Sequence, residues 1–334
     1  MNLKRDFRGL FDYMKKIPVI VIVGPTASGK TALSIEIAKR IDGEIVSFDS
    51  MQVYKELSIS TAKPTLDEMD GVKHHLIDCI SVLDEFSVAD FVKEAKKIVC
   101  DIVSRGTTPV FVGGTGLYID SFINNIDFSC DNKNAQIREK LDKEEKELGA
   151  MGLYEILCKL DGQAAKEIHP NNVKRVKRAL EMYYTTGESK TEQVKRSKEA
   201  PSIYEPLFIG INYVNREKLY ERINLRVDMM LENGILDEVK AFYKLPVSKT
   251  AIQAIGCKEF KPFIDGELLL DVCVEKLKQE TRRYAKRQIT WFKRNDKINW
   301  FYPDEDTREE IVSKSCLLVE DFLRKRGVAN EQQC

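Results

Sequence analysis

Apolar runs and amphipathic stretches alternate along the first third of the chain. Ile17–Val23 is apolar at every position, and this mainly β-branched run predicts a strand that is buried on both faces. A helical stretch at 31–40, an apolar run at 44–48, an amphipathic stretch at 87–104 and a second buried strand at 109–112 follow. Strands that alternate with helices in this way predict an α/β fold, in which a parallel sheet carries helices on both faces.

The amphipathic stretch at 87–104 carries the clearest helix signals. Ser87 and Asp90 have the spacing of a capping box, and Gly106 is placed to end the helix. Apolar residues between them recur at helical spacing and predict one buried face. This face contains Val88, Phe91, Val92, Ala95, Ile98, Val99 and Ile102.

The pattern changes after residue 126. Residues 131–198 show helical periodicity, high charge and no convincing strand. A strand-like run at 206–212 follows, and the rest of the chain is mostly helical. The simplest account is an α/β core made of residues 1–125 and 205–334, interrupted by an all-helical insertion domain at 126–204.

Charge is balanced over the whole chain but not locally. The 334 residues have a formal net charge of +0. However, residues 166–198 contain nine Lys or Arg against four Asp or Glu, and residues 276–297 contain nine against two. In the helix after His169-Pro170, Lys174, Arg175 and Arg178 lie opposite the apolar side. Such faces indicate phosphate contacts, although a solvated charged face is the alternative.

Several classes of protein are disfavoured by composition. The apolar runs are shorter than the roughly 18 residues of a membrane span, and the charged N-terminus is unlike a signal peptide, so a cytoplasmic protein without a membrane partner is expected. The 8 Cys form no C-x-x-C pair and there are only 3 His, which argues against a zinc site and a disulfide scaffold. A monomer is expected.

One motif carries the chemistry of phosphate binding. Its eight residues are Gly24, Pro25, Thr26, Ala27, Ser28, Gly29, Lys30 and Thr31, which fit G-x-x-x-x-G-K-[ST] between a predicted strand and a predicted helix. In such a P-loop, backbone N–H groups and a helix N-terminus surround the phosphate. Lys30 reaches the terminal phosphate and the Thr31 hydroxyl can ligate Mg²⁺. The core is therefore predicted to be P-loop NTPase-like.

The residues around the P-loop favour some reactions over others. GTPases need an N-K-x-D base reader, and the chain has none. The strand at 109–112 runs into Gly113-Gly-Thr-Gly-Leu-Tyr118 rather than into the Mg²⁺-holding Asp of ATPase motors. The strand at 44–48 does end at an acid, Asp49, where P-loop enzymes that act on small acceptors often hold the acceptor.

The sequence resembles the bacterial tRNA dimethylallyltransferases, also called tRNA isopentenyltransferases. The resemblance runs nearly from end to end, and the order and spacing of its motifs are specific. Beyond the P-loop, the matching segments are Asp49-Ser-Met-Gln-Val-Tyr54, Thr61-Ala-Lys-Pro64, His74-His-Leu-Ile-Asp78, Phe86-Ser-Val-Ala-Asp-Phe91, Val112-Gly-Gly-Thr-Gly-Leu-Tyr118, His169-Pro-Asn-Asn172, Ala254-Ile-Gly256 and Tyr284-Ala-Lys-Arg-Gln-Ile-Thr-Trp-Phe292.

The resemblance implies the transfer of a dimethylallyl group from dimethylallyl diphosphate to the N6 amine of the adenosine at tRNA position 37, with Mg²⁺. It implies that the P-loop holds the donor diphosphate, with Lys30 stabilising the charge on the leaving group. By resemblance, Asp49 is the general base and Thr115 contacts the acceptor nucleotide. The alternatives are a helix cap or a Mg²⁺ ligand for Asp49, and a plain turn for 113–115.

The resemblance also implies contacts to the tRNA anticodon stem-loop. The adenine must be flipped out of its stack to reach the pocket. The implied contact residues are Asp49, Ser50, Met51, Gln52, Thr115, Arg138, Lys174, Arg175, Val176, Lys177, Arg178, Gln253 and Lys258.

Three rival hypotheses remain at this stage. They are a small-molecule kinase that uses ATP, a non-catalytic RNA-binding protein with a nucleotide switch, and a prenyltransferase that acts on a free adenine nucleotide. The basic helix disfavours the first and the third, because neither needs to hold a long polyanion. Asp49 beside the P-loop disfavours the second.

Overall fold

A computed structural model describes residues 16–126, 128, 135–199 and 202–327. The contacts divide the chain into two compact units. The first unit extends up to Asp120 and resumes at Tyr204, and the second is Ser121–Ile203.

Six strands form one sheet in the first unit, and all its paired neighbours run parallel. In chain order they are β1 (Ile17–Val23), β2 (Gly43–Ser47), β3 (His74–His75), β4 (Thr108–Val112), β5 (Tyr204–Ile211) and β6 (Ile298–Phe301). Their order across the sheet is β3-β2-β4-β1-β5-β6. β1 therefore lies inside the sheet between β4 and β5, and the loop that follows it emerges at the carboxyl edge, where open α/β sheets bind ligands.

The helices of this unit follow the predicted periodicity. They are α1 (Lys30–Arg40), α2 (Leu66–Met69), α3 (Val88–Ser104), α4 (Gly116–Ile123, which runs into the second unit), α9 (Arg216–Glu232), α10 (Ile235–Phe242), α11 (Cys257–Ile264), α12 (Leu270–Phe292) and α13 (Arg308–Arg324). A 3₁₀ turn spans Ala251–Gln253. Ser87 and Asp90 form the predicted capping box of α3.

The core lies on both faces of the sheet. Ile20 and Ile22 of β1 pack with residues of α1 and α13 in one buried cluster. Val19 and Val21 point to the other face and are also fully buried. A continuous apolar run is therefore what this strand position requires, and the predicted α/β fold with helices on both faces is confirmed.

Two strands escaped the sequence analysis. β6 lies in a region expected to be mostly helical, and β3 lies in a stretch for which no strand was predicted. β6 has only four residues and pairs only with β5, and β3 has only two. Edge strands this short offer too few positions for a period-2 pattern.

The described part of the second unit contains helices and no strand. They are α5 (Ala135–Leu160), α6 (Gly162–Glu167), α7 (Val173–Thr186) and α8 (Lys190–Glu199). Gly149 interrupts α5 with a φ of 67°, so that α5 is two helices joined at a kink. Leu141, Leu153, Val176 and Leu180 lie in the shared core. Within the ranges described for both units, no helix has the length and apolar content needed to cross a membrane.

Candidate active site

The predicted P-loop lies between β1 and α1, with glycine where the backbone demands it. Gly24 has a φ of 147°, and a Cβ at this position would lie 2.2 Å from the carbonyl oxygen of Ile211 at the end of β5. Gly29, at the N-terminus of α1, has a φ of 97°. Gly29 offers no side chain to cap the helix, so the N–H groups of the first turn remain available to an anion.

Three cations gather around this loop. Lys30 Nζ donates to the carbonyl oxygen of Pro25 at 2.5 Å. From α9, Arg222 Nε donates to the carbonyl oxygen of Ala27 at 3.0 Å, and Arg226 Nη1 donates to Thr26 Oγ1 at 3.0 Å. Because Arg222 and Arg226 are four residues apart, they extend from one face of α9.

The surroundings of Lys30 and Arg226 disfavour the charged forms of these two side chains. Burial, together with the nearby Arg226, lowers the pKa of Lys30 to about 7, although Asp49 acts to raise it. Burial also lowers the pKa of Arg226, again against the effect of Asp49. Among the residues that the structure describes, the buried hydroxyl of Ser28 has no hydrogen-bond partner. A bound phosphate would supply both the missing negative charge and a hydrogen-bond partner.

A cleft of about 480 Å³ opens beside the P-loop. Its polar lining includes Lys30, Thr31, Arg222 and Arg226, and apolar side chains of α1 and α9 form another part of its wall. Volume and charge suit a diphosphate, because an anion there contacts a helix N-terminus and three cationic side chains.

The described residues contain no cluster of three or more His, Cys, Asp or Glu that could hold a metal ion. Mg²⁺ bound to a diphosphate requires little from the protein, because it takes most of its ligands from phosphate oxygens and water. Thr31 is exposed and lines the cleft. It fits the predicted role of a Mg²⁺ ligand.

Asp49 lies just after the carboxyl end of β2. Its Oδ1 accepts a hydrogen bond from the backbone N–H of Met51 at 2.9 Å, which fixes the side chain in an Asx turn. The backbone N–H of Ser50 donates to Thr115 Oγ1 at 3.1 Å. Thr115 therefore holds the segment that follows Asp49.

A smaller cavity of about 160 Å³ lies between Asp49 and the P-loop, and it is called the acceptor cavity after the ligand predicted for it. Its apolar residues include Met51, Val227, Met230, Ile255 and Leu277, and its polar residues include Thr26, Asp49, Gln253 and Tyr284. Arg226 and Ala62 line both this cavity and the phosphate cleft. The two spaces therefore share a wall, which places the cationic cradle next to the carboxylate.

One face of helix α12 contacts both the P-loop and the turn that carries Thr115. The side-chain oxygen of Gln288 accepts from the backbone N–H of Thr26 at 2.8 Å, and its Nε2 donates to the carbonyl oxygen of Gly114 at 3.1 Å. A Cβ at Gly114 would lie 1.9 Å from that Nε2. Glycine at position 114 is therefore needed for α12 to approach this closely. Burial and the nearby Asp49 raise the pKa of Tyr284, one turn before Gln288.

Gln52 and Lys258 are predicted tRNA contacts that are not among the residues lining the acceptor cavity, whereas the nearby Met51 and Gln253 do line it. Gln52 Nε2 donates to the carbonyl oxygens of Thr61 and Ala62, both at 3.3 Å, and Gln52 is not among the residues that line the acceptor cavity. Lys258 lines a separate groove between α11 and α12, with its Nζ 3.7 Å from Glu259. Gln253 does line the acceptor cavity.

Four predicted contacts of the helical unit line a groove of about 760 Å³ between α5 and α7: Arg138, Lys174, Lys177 and Arg178. Arg138 and Arg178 both pair with the buried carboxylate of Glu181, at 2.5 and 2.8 Å. Burial acts to raise the pKa of Glu181, but these hydrogen bonds outweigh it and lower the pKa. Lys177 pairs with Asp142 and Glu145.

This arrangement corrects one predicted contact and distinguishes among the others. Val176 is fully buried in the core of the unit, so its side chain is not available to a nucleic acid, because the same helical period that exposes its basic neighbours turns it inward. Lys174 and Arg175 are exposed and have no ion-pair partner in the described ranges. The basic face of α7 is therefore partly neutralised by Asp142 and Glu145 of α5 and by Glu181 of α7 itself.

Sequence reasoning missed four residues of the site: Arg222, Arg226, Tyr284 and Gln288. The i, i+4 spacing of Arg222 and Arg226 was a weak signal, since helix α9 carries many charges of both signs. Tyr284 and Gln288 fall within the matching segment 284–292, but neither that match nor the burial of Gln288 reveals which loops its amide joins.

The fold and the site together define a P-loop α/β protein with an acceptor cavity beside its phosphate cradle. The family model for IPP transferase matches residues 52–295. The chain belongs to the IPP transferase family.

Curated relatives and solved structures give the same result. The tRNA dimethylallyltransferase of Caldanaerobacter subterraneus subsp. tengcongensis is 48% identical over 300 residues, which cover 88% of this chain and 95% of the relative. That of Acetivibrio thermocellus is 48% identical over 297 residues, with 88% and 95% covered. The crystal structure of the tRNA isopentenylpyrophosphate transferase from Bacillus halodurans matches with a TM-score of 0.70 and 40% identity, covering 94% of this chain and 98% of that one. A eukaryotic dimethylallyltransferase acting on tRNA matches with a TM-score of 0.80 and 32% identity, covering 95% and 82%.

Proposed function

We propose that this protein transfers a dimethylallyl group from dimethylallyl diphosphate to the N6 amine of adenosine 37 of tRNA and releases diphosphate. The observation that carries the proposal is the wall formed by Arg226 and Ala62, which separates a cationic phosphate cleft from an apolar cavity that contains Asp49. A diphosphate in the cleft would direct a short branched hydrocarbon tail toward that cavity. The names of the relatives support tRNA as the acceptor.

The donor side stabilises the leaving group. When the allylic C–O bond breaks, its electron pair goes to the diphosphate oxygen. Lys30, Arg226 and the loop amides then face the increased negative charge. Mg²⁺ held by Thr31 and the diphosphate oxygens would further neutralise this charge.

The acceptor side removes a proton. The N6 amine of adenine is a weak nucleophile because its lone pair is shared with the ring, and it loses a proton as the new N–C bond forms. Oδ1 of Asp49 is held by the N–H of Met51, so the carboxylate has a fixed orientation from which its other oxygen can take that proton.

The helical unit is proposed to hold the anticodon stem-loop. Lys174 and Arg175 offer exposed positive charge, and Arg138 and Arg178 are held in place by Glu181. Lys174 and Arg175 are suited to binding phosphate groups. The oriented guanidinium groups of Arg138 and Arg178 are suited to binding a planar group that accepts hydrogen bonds. This binding would compensate for the stacking lost when adenosine 37 is extruded.

Labelled dimethylallyl diphosphate distinguishes this function from its rivals. The protein is incubated with the labelled donor, Mg²⁺ and unmodified tRNA, tRNA with guanosine at position 37, or AMP. We expect label in the first tRNA only. Label in AMP would indicate a prenyltransferase for free nucleotides, and phosphate transfer from ATP without prenyl transfer would indicate a kinase.

A further inference from the structure

The carboxylate of Glu238 binds three consecutive backbone amides of another segment. Its Oε2 accepts from the N–H groups of Ser58 at 2.8 Å and Ile59 at 2.7 Å, and its Oε1 accepts from the N–H of Ser60 at 2.9 Å. Consecutive N–H groups that converge in this way form a nest for an anion. In this protein the nest is filled by a side chain from the first turn of α10, so both ends of the contact belong to the same chain.

The segment at 57–64, hereafter the wall loop, holds a conformation that needs support. The Thr61 hydroxyl donates to the carbonyl oxygen of Leu57 at 2.6 Å, and the Ala62 N–H donates to that of Ile59 at 3.0 Å. Ala62 has a φ of 45°, which is costly for a residue with a Cβ. The charge-assisted hydrogen bonds that Glu238 accepts from this loop offset part of this cost.

The wall loop separates the donor from the acceptor. Ser60, Thr61 and Ala62 line the acceptor cavity, and Ala62 also lines the phosphate cleft. The carbonyl oxygen of Ala62 accepts from Arg226 Nη2 at 3.4 Å and from Gln52 Nε2 at 3.3 Å. The position of one backbone carbonyl thus orients a guanidinium of the phosphate cleft and an amide of the segment that follows Asp49.

We infer that Glu238 is a positioning residue for the transfer reaction, because it fixes the wall loop that aligns donor and acceptor. Glu238 is not among the residues that line the phosphate cleft or the acceptor cavity, and it acts through Ala62 on Arg226 and Gln52. The inference rests on the proposed function. A carboxylate is required, because an amide in its place would present an N–H₂ group to one of the backbone N–H groups.

Three variants test the inference. Glu238→Ala empties the nest, Glu238→Gln keeps the size without the charge, and Asp237→Ala is the matched control. Asp237 is an exposed neighbour on the same helix that pairs only with Lys240 in the described ranges, at 3.4 Å. We expect Glu238→Ala to lower kcat/KM for tRNA prenylation by about a hundredfold, the scale of a misplacement near 1 Å. Both the KM for the donor and kcat should change, and Glu238→Gln should recover little.

Chemical rescue separates positioning from general loss of stability. Formate can occupy the nest that Glu238→Ala leaves empty, so formate should restore kcat/KM and slow the hydrogen exchange of the Ser58–Ser60 amides. Chloride at the same ionic strength should do neither. Formate should not affect wild-type protein or Asp237→Ala.

The outcomes distinguish this inference from the proposed function. If Glu238→Ala leaves donor affinity, amide exchange and kcat/KM as in wild type, or if formate restores none of them, the inference is wrong. If wild type transfers no label to tRNA, yet Glu238→Ala weakens diphosphate binding in calorimetry and formate restores it, the proposed function fails and the positioning role stands.

Discussion

The side-chain oxygen of Gln288 accepts a hydrogen bond from the backbone N–H of Thr26 at 2.8 Å. The same amide donates to the carbonyl oxygen of Gly114, so one buried group joins the P-loop to the turn that carries Thr115. The relative position of the phosphate cradle and the acceptor segment therefore depends on a residue that is not among those lining the phosphate cleft or the acceptor cavity.

Replacing Gln288 with Glu tests this connection. The new carboxylate would face the carbonyl oxygen of Gly114 without a proton to donate, which costs about 1–3 kcal/mol of stability. We expect kcat to fall at least tenfold, because the two loops shift relative to each other. Steady-state kinetics and thermal unfolding measure both effects. Gln279→Glu, an exposed change on the same helix, should leave both unchanged.

Asp49→Asn tests the general base. The amide keeps the shape of the side chain and can still accept from Met51, but it cannot take a proton. Single-turnover prenylation should slow by about a hundredfold or more, while tRNA affinity measured by filter binding changes little. An unchanged single-turnover rate would remove Asp49 from this role.

The pH dependence of diphosphate binding follows from Lys30. The pKa of Lys30 is about 7 in the free protein, and a bound anion would raise it. Affinity for diphosphate should therefore decrease as pH rises above 7, by up to about tenfold per unit, as binding takes up a proton. Calorimetry in buffers of different ionisation enthalpy measures this proton uptake. The Lys30→Met variant should bind diphosphate weakly and should lose the proton uptake assigned to Lys30.

The same side chain reduces the stability of the ligand-free protein. Its pKa is about 7 in the folded protein, against an ordinary value of 10.5 for an unburied lysine. Between these values the unfolded chain binds more protons, so the free energy of unfolding rises with pH across this window, and the full cost applies below pH 7. Lys30→Met should raise the free energy of unfolding at pH 6.5 by on the order of 1–2 kcal/mol. That advantage should shrink toward pH 10.

Salt dependence distinguishes the free cations of the helical unit from the paired ones. Lys174→Ala combined with Arg175→Ala should reduce the slope of log affinity against log salt by about 1–2, because these charges are free to contact phosphates. Lys177→Ala should change the slope less, because Asp142 and Glu145 already neutralise it. Equal effects from both variants would show that the internal pairs open on binding.

The parts of the molecule that could be predicted are those specified by local sequence. The apolar run Ile17–Val23 and the capping box at Ser87 act over a few residues, and both were predicted correctly. The P-loop motif specifies its own turn through Gly24 and Gly29.

The parts that could not be predicted depend on contacts distant in sequence. Arg226 reaches Thr26 across 200 residues, and Gln288 reaches the same residue across 262. The sequence around either side chain does not show which distant residue it contacts. Val176 was placed among the tRNA contacts because its neighbours match the family, whereas the packing of α7 turns it inward.

Gly24 lies directly against Ile211, so the shape of the phosphate cradle depends on a strand that is synthesised much later. The centre of the sheet pairs β1 with β5, and the whole of Ser121–Ile203 is translated between them. A nascent chain that ends before Ile211 carries the complete glycine-rich sequence but lacks the neighbouring strand that confines it. The capacity to bind diphosphate should therefore emerge only after the ribosome has passed this strand, later than the motif itself suggests.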